Sequence, residues 1–387
     1  MLNREELRIG VSVFMVAFSY GLHLVGIAPI LGVLNEVYAD KGTGMIQMLQ
    51  TIPYLTLILS SLLVGWFTHH ISVKRLELIS LLMVGTLGII PFFVLNFWVL
   101  FATRMLIGFG FGLISPMNNT VITVTLPPER RAGFMGLHVV AMGVGAMSGS
   151  LIGGVLASIH YRYFFLIYLM AFVTWFFVQF TMRDVRPQSS ASSRSFGYGR
   201  EIWMLTACSF FHTILINAFS INLGIYVLQT LKMGTGVTGA VNTVNSVLAL
   251  LVGVFFAKLS RFFGKYTIVF AIGAAAFGFG CPLVLPGIIG IAVTSACCGI
   301  SLSCFQAGAM QRISMAVPPD EVAGASGVFS VAGSIGGLIG PIVLGYGAAV
   351  LGGNTPIRQF LVAFAGFTVL FLMSLVLVRR EPAAVQR

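Results

Sequence analysis

The chain has 387 residues, of which 57% are hydrophobic and 9% charged, with a mean hydropathy of +0.98. Soluble domains average about 25% charged residues, so a soluble globule is excluded and lipid is the expected solvent. A net charge of +11 would suit nucleic acid, but the basic residues sit in short joins between apolar runs, which excludes that partner as well.

A membrane-spanning helix needs about 20 apolar residues. Twelve such stretches follow one another: 9–33, 46–68, 77–95, 98–125, 133–158, 161–182, 201–230, 237–257, 267–285, 287–316, 323–350 and 357–378. Arg4, Glu5, Glu6 and Arg8 precede the first. It is too long for the core of a secretory signal and no small-residue cleavage site follows, so a retained helix is expected. Polar, Gly or Pro signals separate the stretches, as in ADKGTG at 39–44 and LPPERR at 126–131. The longest join, 183–200, is rich in Ser and Arg and reads as a flexible linker between halves at 1–182 and 201–387.

Basic residues are unevenly divided between alternate joins. One set holds 17: Arg4, Arg8, Lys74, Arg75, Arg130, Arg131, Arg183, Arg186, Arg194, Arg200, Lys258, Arg261, Lys265, Arg312, Arg379, Arg380 and Arg387. The other holds Lys41, Arg162, Lys232 and Arg358, and Arg104 lies further inside a span. The positive-inside rule then puts both termini in the cytoplasm of an integral plasma- or inner-membrane protein.

A segment of the first half recurs in the second. Leu126 to Gly136 reads LPPERRAGFMG, and 191 residues later Val317 to Gly327 reads VPPDEVAGASG. The same offset pairs Pro91 with Pro282, Gly108 with Gly299, Ala141 with Ala332, Gly145 with Gly336, Gly149 with Gly340 and Gly154 with Gly345. A fixed offset over Pro, Gly and loop positions predicts two structurally equivalent halves. In so apolar a chain it points to a transporter, with its site between two six-helix bundles related by a pseudo-twofold axis along the membrane normal. The fold class expected is all-α and membrane-embedded.

Polar residues are not spread evenly over the spans. Spans 3, 6, 9 and 12 read as the least polar, with strongly polar residues such as Gln179 towards their ends, and are expected to face lipid. The polar groups concentrate elsewhere: Tyr20, His23, Gln47, Gln50, Arg104, Asn118, Asn119 and His138, then His212, Asn217, Asn222, Asn242, Asn245, Gln306 and Gln311. Such groups are expensive in lipid, so their helices should line a wet interior.

Six plus six spans, a basic central loop and this polarity pattern resemble the major facilitator superfamily over essentially the whole chain. Gly136, Gly145, Gly149, Ser150, Gly153 and Gly154 look like the antiporter pattern G-x8-G-x3-G-P-x2-G-G, with Ser150 in place of Pro. Gly327, Gly336, Gly340, Pro341 and Gly345 repeat it, with Leu344 at the first of the final Gly pair. Arg104, Gly108 and Gly112 are similar to the family's R-x3-G-x3-G pattern, and HLVGIAPIL from His23 to Leu31 resembles the span-1 signature of the drug/proton antiporter branch. This resemblance implies that a packed, kinked span 5 seals one face and favours export. Small residues let helices approach closely in lipid, and Gly145 and Gly149 are expected at a tight contact between the half-bundles. The loop after span 2 departs from the family's G-x-L-A-D-R-x-G-R-K: it offers Gly65, Phe67, Thr68, His69, His70, Ser72, Lys74 and Arg75, with His69 at the acidic place. The corresponding place in the second half holds Arg261. The salt-bridge latch that the family builds there is not carried over.

All eleven Asp and Glu lie at helix ends or in joins, at 5, 6, 36, 40, 77, 129, 184, 201, 320, 321 and 381. No carboxylate is placed near the membrane midplane, so Arg104, His23, His138 and His212 are the ionisable candidates. Basic or neutral groups favour an anionic, zwitterionic or neutral substrate over a cation. Histidine titrates near neutrality and suits a proton carrier. His23 and His212, 189 residues apart, are expected as near pseudo-symmetric partners. Cysteines 208, 281, 297, 298 and 304 lie in apolar runs without zinc or disulfide spacing and read as small buried residues. The His69–His70 pair lacks flanking ligands, so no metal is expected. There is no phosphate-cradling loop and no Ser/His/Asp arrangement, so neither a cofactor nor an enzyme is expected. The expected protein is a monomeric secondary transporter working by alternating access, most simply a proton-coupled exporter of small organic solutes. An importer or facilitator of an organic anion or neutral solute is the alternative.

Overall fold

In hydrocarbon every backbone N–H and C=O must be satisfied within the chain, which leaves a long apolar sequence the helix as its spanning form. The computed structural model describes residues 4–24, 27–94, 96–185, 198–318 and 322–380, although the surroundings of Gly65 and the side chains of His69, Asn119, Glu129 and a few others lie outside the description. Parts of HLVGIAPIL and of the 183–200 join also fall outside it. The described residues contain no strand.

The helices are α1 Arg4–Leu24, α2 Leu31–Val37, α3 Thr43–Thr51, α4 Pro53–His70, α5 Val73–Phe93, α6 Phe97–Thr125 and α7 Pro128–Ile159. They continue as α8 Leu169–Thr181, α9 Arg200–Ile225, α10 Thr235–Phe263, α11 Thr267–Val284, α12 Ile288–Ala316, α13 Val322–Val350 and α14 Pro356–Arg380. Eleven stretches are long and apolar enough to cross a bilayer, and one of them, Thr235–Val284, holds both α10 and α11. The twelve expected crossings are therefore present.

Several crossings are broken where the sequence removes a helical hydrogen bond. A 3-10 turn at Ala28–Ile30, carrying Pro29, separates α1 from α2. Pro53 has no N–H to donate, and α3 gives way to α4 at Ile52. The sixth crossing starts as a 3-10 segment at Tyr161–Tyr168, and α9 widens into a π-turn at Tyr226–Thr230. Asn96 caps α6 by accepting from Trp98 N at 2.8 Å. Outside the spans, the hydrogen bond from Lys41 holds the Asp40 carboxyl below the ordinary range.

By contact, Met1–Ala191 with Leu223–Ser246 form one compact unit, and Ser192–Asn222 with Val247–Arg387 form another. In the first, glycines set the helix spacing. A methyl group on Gly145 would lie 2.0 Å from the Phe18 carbonyl oxygen, and one on Gly149 2.4 Å from that of Leu22. These two glycines therefore seat α7 on α1 of the same half; they do not join the half-bundles as expected. Gly108 and Gly112 do the same for α6 on α4, against Pro53 O and Ser60 Oγ. The contact of α7 with α10 falls further along, where Gly154 meets Gly239 and Ser150 Oγ accepts from Asn242 at 3.0 Å.

In the second unit Gly336 of α13 lies against the Phe210 carbonyl of α9, a methyl there falling 2.4 Å from it. Phe18 and Phe210 are 192 residues apart, and the glycines that meet them 191. The repeat read from the sequence is thus a repeat of helix contacts.

Candidate functional site

The first unit buries a basic and aromatic cluster. Arg104, one and a half to two turns into α6, is 2% exposed, and Tyr168 is fully buried. The Arg104 guanidinium donates from Nη1 to the Tyr168 hydroxyl and from Nε to the Leu49 carbonyl at 3.4 Å. No carboxylate pairs with it among the described residues. The Tyr168 ring stacks on His23 with centroids 4.8 Å apart. A carbonyl only accepts, so His23 Nε2 carries the hydrogen shared with Ile167 O at 3.2 Å, and Nδ1 faces the Ser19 hydroxyl at 3.4 Å. The ring of Tyr168 fits because Gly88 of α5 opposes it: a methyl on Gly88 would lie 2.2 Å from that ring. Arg104 is therefore enclosed in the bundle, with its partners on two other crossings.

Nearby polar residues tie broken helices together. Gln50 Oε1 accepts from Ile27 N at 3.0 Å, closing the gap after α1, and half-buried Tyr20 stands edge-on to Phe111. Asn118 Nδ2 donates to Val13 O at 3.2 Å and to His138 Nδ1 at 2.8 Å. Asn118 and His138 join α1, α6 and α7, whereas the side chain of Asn119 lies outside the description.

The second unit carries a different set. His212 is 1% exposed, stacks on Phe305 at 4.1 Å and meets Ser301 Oγ at 3.0 Å. Asn217 Nδ2 donates to Gly337 O at 3.1 Å, beside Gly340. Asn222 donates to Gln359 Oε1 at 2.7 Å, and Gln359 donates in turn to Asn354. Asn245 is half-buried, and Gln306 is exposed on α12 rather than enclosed.

The pairing of the two histidines is corrected. Glycine contacts set α1 against α9 at an offset of 192, which puts His212 level with Tyr20 and His23 level with Leu215. The histidines thus sit almost one turn apart in their repeats, on different partners.

The remaining motif residues divide by surroundings. Gly153 faces Phe164, and Gly345 faces Asn354. Gly136 and Gly327 have open space where a side chain would project, and Pro341 lies buried within α13. Lys74 Nζ donates to Gln179 O at 2.7 Å, whereas Arg75 is exposed. The surroundings of Gly65 are outside the description.

Three residues escaped the sequence reading. Tyr168 and Gln359 lie in the sixth and twelfth crossings, taken as almost wholly apolar and lipid-facing, yet both are buried and hydrogen-bonded. They are 191 residues apart, so the repeat itself marked them. Glu77 reads in the sequence as a helix-end carboxylate, yet it is fully buried in the second turn of α5.

The sequence model of the Major Facilitator Superfamily matches residues 9–203 and 205–387. An inner membrane metabolite transport protein of Escherichia coli (strain K12), YgcS, is 27% identical over 158 residues, 39% of this chain. The match covers 34% of that relative's length. Among solved structures, a variant of the nucleoside transporter NupG superposes with a TM-score of 0.79 at 12% identity, covering 95% of this chain and 99% of that one. A variant of the peptide transporter POT gives 0.77 at 14%, covering 96% and 93%. A bacterial homologue of the human lysosomal transporter Spinster, inward-facing and unoccupied, gives 0.72 at 13%, covering 98% and 96%. At these identities the likeness is one of fold.

Proposed function

The chain belongs to the Major Facilitator Superfamily, a transporter rather than an enzyme, and on that premise we propose that it exports a small organic solute in exchange for protons by alternating access. Both termini lie in the cytoplasm and the protein acts as a monomer. The observation that carries the choice of substrate is Arg104: a buried guanidinium bonded to a hydroxyl and a carbonyl, with no carboxylate beside it among the described residues. Such a site repels a cation and favours an anionic, zwitterionic or neutral solute. The glycine pattern of α7 supports the antiporter branch and export. The partial likeness to a metabolite transport protein supports a metabolite over a drug. The unpaired charge of Arg104 favours one second reading, an importer or facilitator of an organic anion.

Oriented vesicles, assayed with a panel of anions, cations and neutral solutes, separate these readings. Proton-gradient-driven efflux of a non-cationic solute is expected. Downhill movement of an anion, indifferent to the gradient, would favour the facilitator. Replacing both His23 and His212 by Gln keeps hydrogen bonding and removes titration. That variant should lose its response to the gradient while still exchanging solute; full gradient drive would clear both histidines of the proton's path. Cysteines engineered near 130 and 190 should be labelled from inside, and near 41 and 232 from outside; the reverse would overturn the topology.

A further inference from the structure

Glu77 stands apart from every other described carboxylate. Glu5, Glu6, Asp40 and Glu201 are in ion pairs, and Glu36 and Asp184 are exposed. Glu77 is 0% exposed, and neither carboxyl oxygen has a hydrogen-bond partner among the described residues. It lies on the buried stripe of α5 with Val73, Leu76, Ser80, Leu81 and Val84. Ser80 and Val84 lie against Gly110 of α6, so Glu77, a turn nearer the helix start, faces the α6 turn of Leu113, Ile114 and Met117. On α8 the buried residue at this level is Val178. The neighbouring Ser80 hydroxyl is already used, donating to Leu76 O at 2.8 Å. In the second half the equivalent position, 191 residues on, is Ile268. Packing alone is therefore served by an alkyl group, and a carboxyl here needs another reason.

Among the described residues, no cation is placed to neutralise it. On its own helix, Lys74 is bonded to Gln179 O and Arg75 is exposed. Arg104 is the ionisable residue of α6, and its guanidinium is held at Tyr168, which packs on Gly88. Gly88 lies about 16 Å further along α5 at 1.5 Å per residue. Tyr161, Arg162 and Tyr163, in the 3-10 segment leading to Tyr168, lie at that same far end, and α8 has no ionisable residue. Beyond α8, Arg183 is paired with Glu5. Of the histidines ending α4, His70 is bonded to Trp66 O at 2.9 Å, and the side chain of His69 lies outside the description.

An isolated carboxylate ion buried without a partner is among the costliest groups a protein can hold, and a proton removes the cost. We propose that Glu77 is a proton-binding site of the first half, separate from the Arg104 cluster. It holds an uncharged acid while α5, α6 and α8 are closed around it and exchanges that proton when this end of the bundle admits water. Its use in coupling rests on the proton-driven transport proposed above; its protonation does not.

Infrared spectroscopy on the purified protein at neutral pH tests it directly. A protonated-carboxyl carbonyl band is expected in wild type, absent in Glu77→Gln, and shifting when D2O replaces water. N,N′-Dicyclohexylcarbodiimide, which adds the O–H of an uncharged acid across its C=N bond, should label one site, mapped to Glu77 and lost in the variant. Should Glu77→Gln not fold, Glu77→Ile, which copies the second half, serves in its place. Absence of both band and label would overturn the proposal. So would a band that never exchanges with D2O, since that acid would be purely structural. A band with the expected behaviour in a protein whose transport ignores proton gradients would uphold the site and remove the coupling reading instead.

Discussion

The two repeats place different chemistry in equivalent positions. Tyr168 in the first half corresponds to Gln359 in the second, Arg104 to Ser295 and Gly88 to Phe279, each 191 residues on. In the first half the large ring sits on the sixth crossing and a glycine opposes it; in the second the ring sits on α11 and the twelfth crossing supplies an amide. The first arrangement stores a positive charge bonded to a tyrosine whose ring stacks on a histidine. The second is a neutral chain from Asn222 through Gln359 to Asn354, with His212 among Phe305 and Phe367. Glycine seats are shared by both halves, since backbone approach depends on the fold alone. Polar side chains are free to diverge, since each needs only a local partner.

The largest effects should come from what the halves share. Gly145→Val, Gly149→Val and Gly336→Val each drive a branched side chain into a carbonyl of the facing helix, which cannot rotate away. Overpacking costs about 1–3 kcal/mol even where neighbours yield, so loss of folded protein in size-exclusion profiles is expected. Gly136→Val and Gly327→Val, which face open space, should express normally. Equal damage at all five would break the distinction between seats and spacers.

The asymmetry of the halves predicts the next effect. Arg104→Ala strips a donor from the buried Tyr168 hydroxyl and the Leu49 carbonyl, at about 1–3 kcal/mol for unsatisfied groups. Ser295→Ala, at the equivalent place, should change thermal stability by less. Equal losses would mean that the charge contributes nothing beyond packing.

Smaller still are single interhelical hydrogen bonds, worth on average about 0.6 kcal/mol in membranes. Gln359→Leu should be mild, because Asn222 keeps its bond to Ala218 O at 2.9 Å. Tyr168→Phe should cost more, because it leaves a guanidinium N–H without its acceptor. Thermal unfolding of the two variants in detergent ranks them, and the opposite order would count against a charged cluster in the first half.

The sequence by itself determined the number of crossings, the twofold repeat of six crossings and the glycines that bring helices together. Apolar length, a fixed offset and missing side chains are properties of the chain that hold in any arrangement of it. It also named Arg104, His23 and His212 as interior groups, because their cost in lipid is independent of detail. Only the tertiary structure decided which partner each found. It moved the histidines almost a turn out of register, assigned Gly145 and Gly149 to α1, left Gln306 exposed, and enclosed Tyr168, Gln359 and Glu77 in crossings that read as lipid-facing. The physical reason lies in the solvent. In water an amphipathic stripe shows which face of a helix is inside, but a helix in lipid is apolar on every face, and its inward side is set by neighbours that the sequence does not list in order.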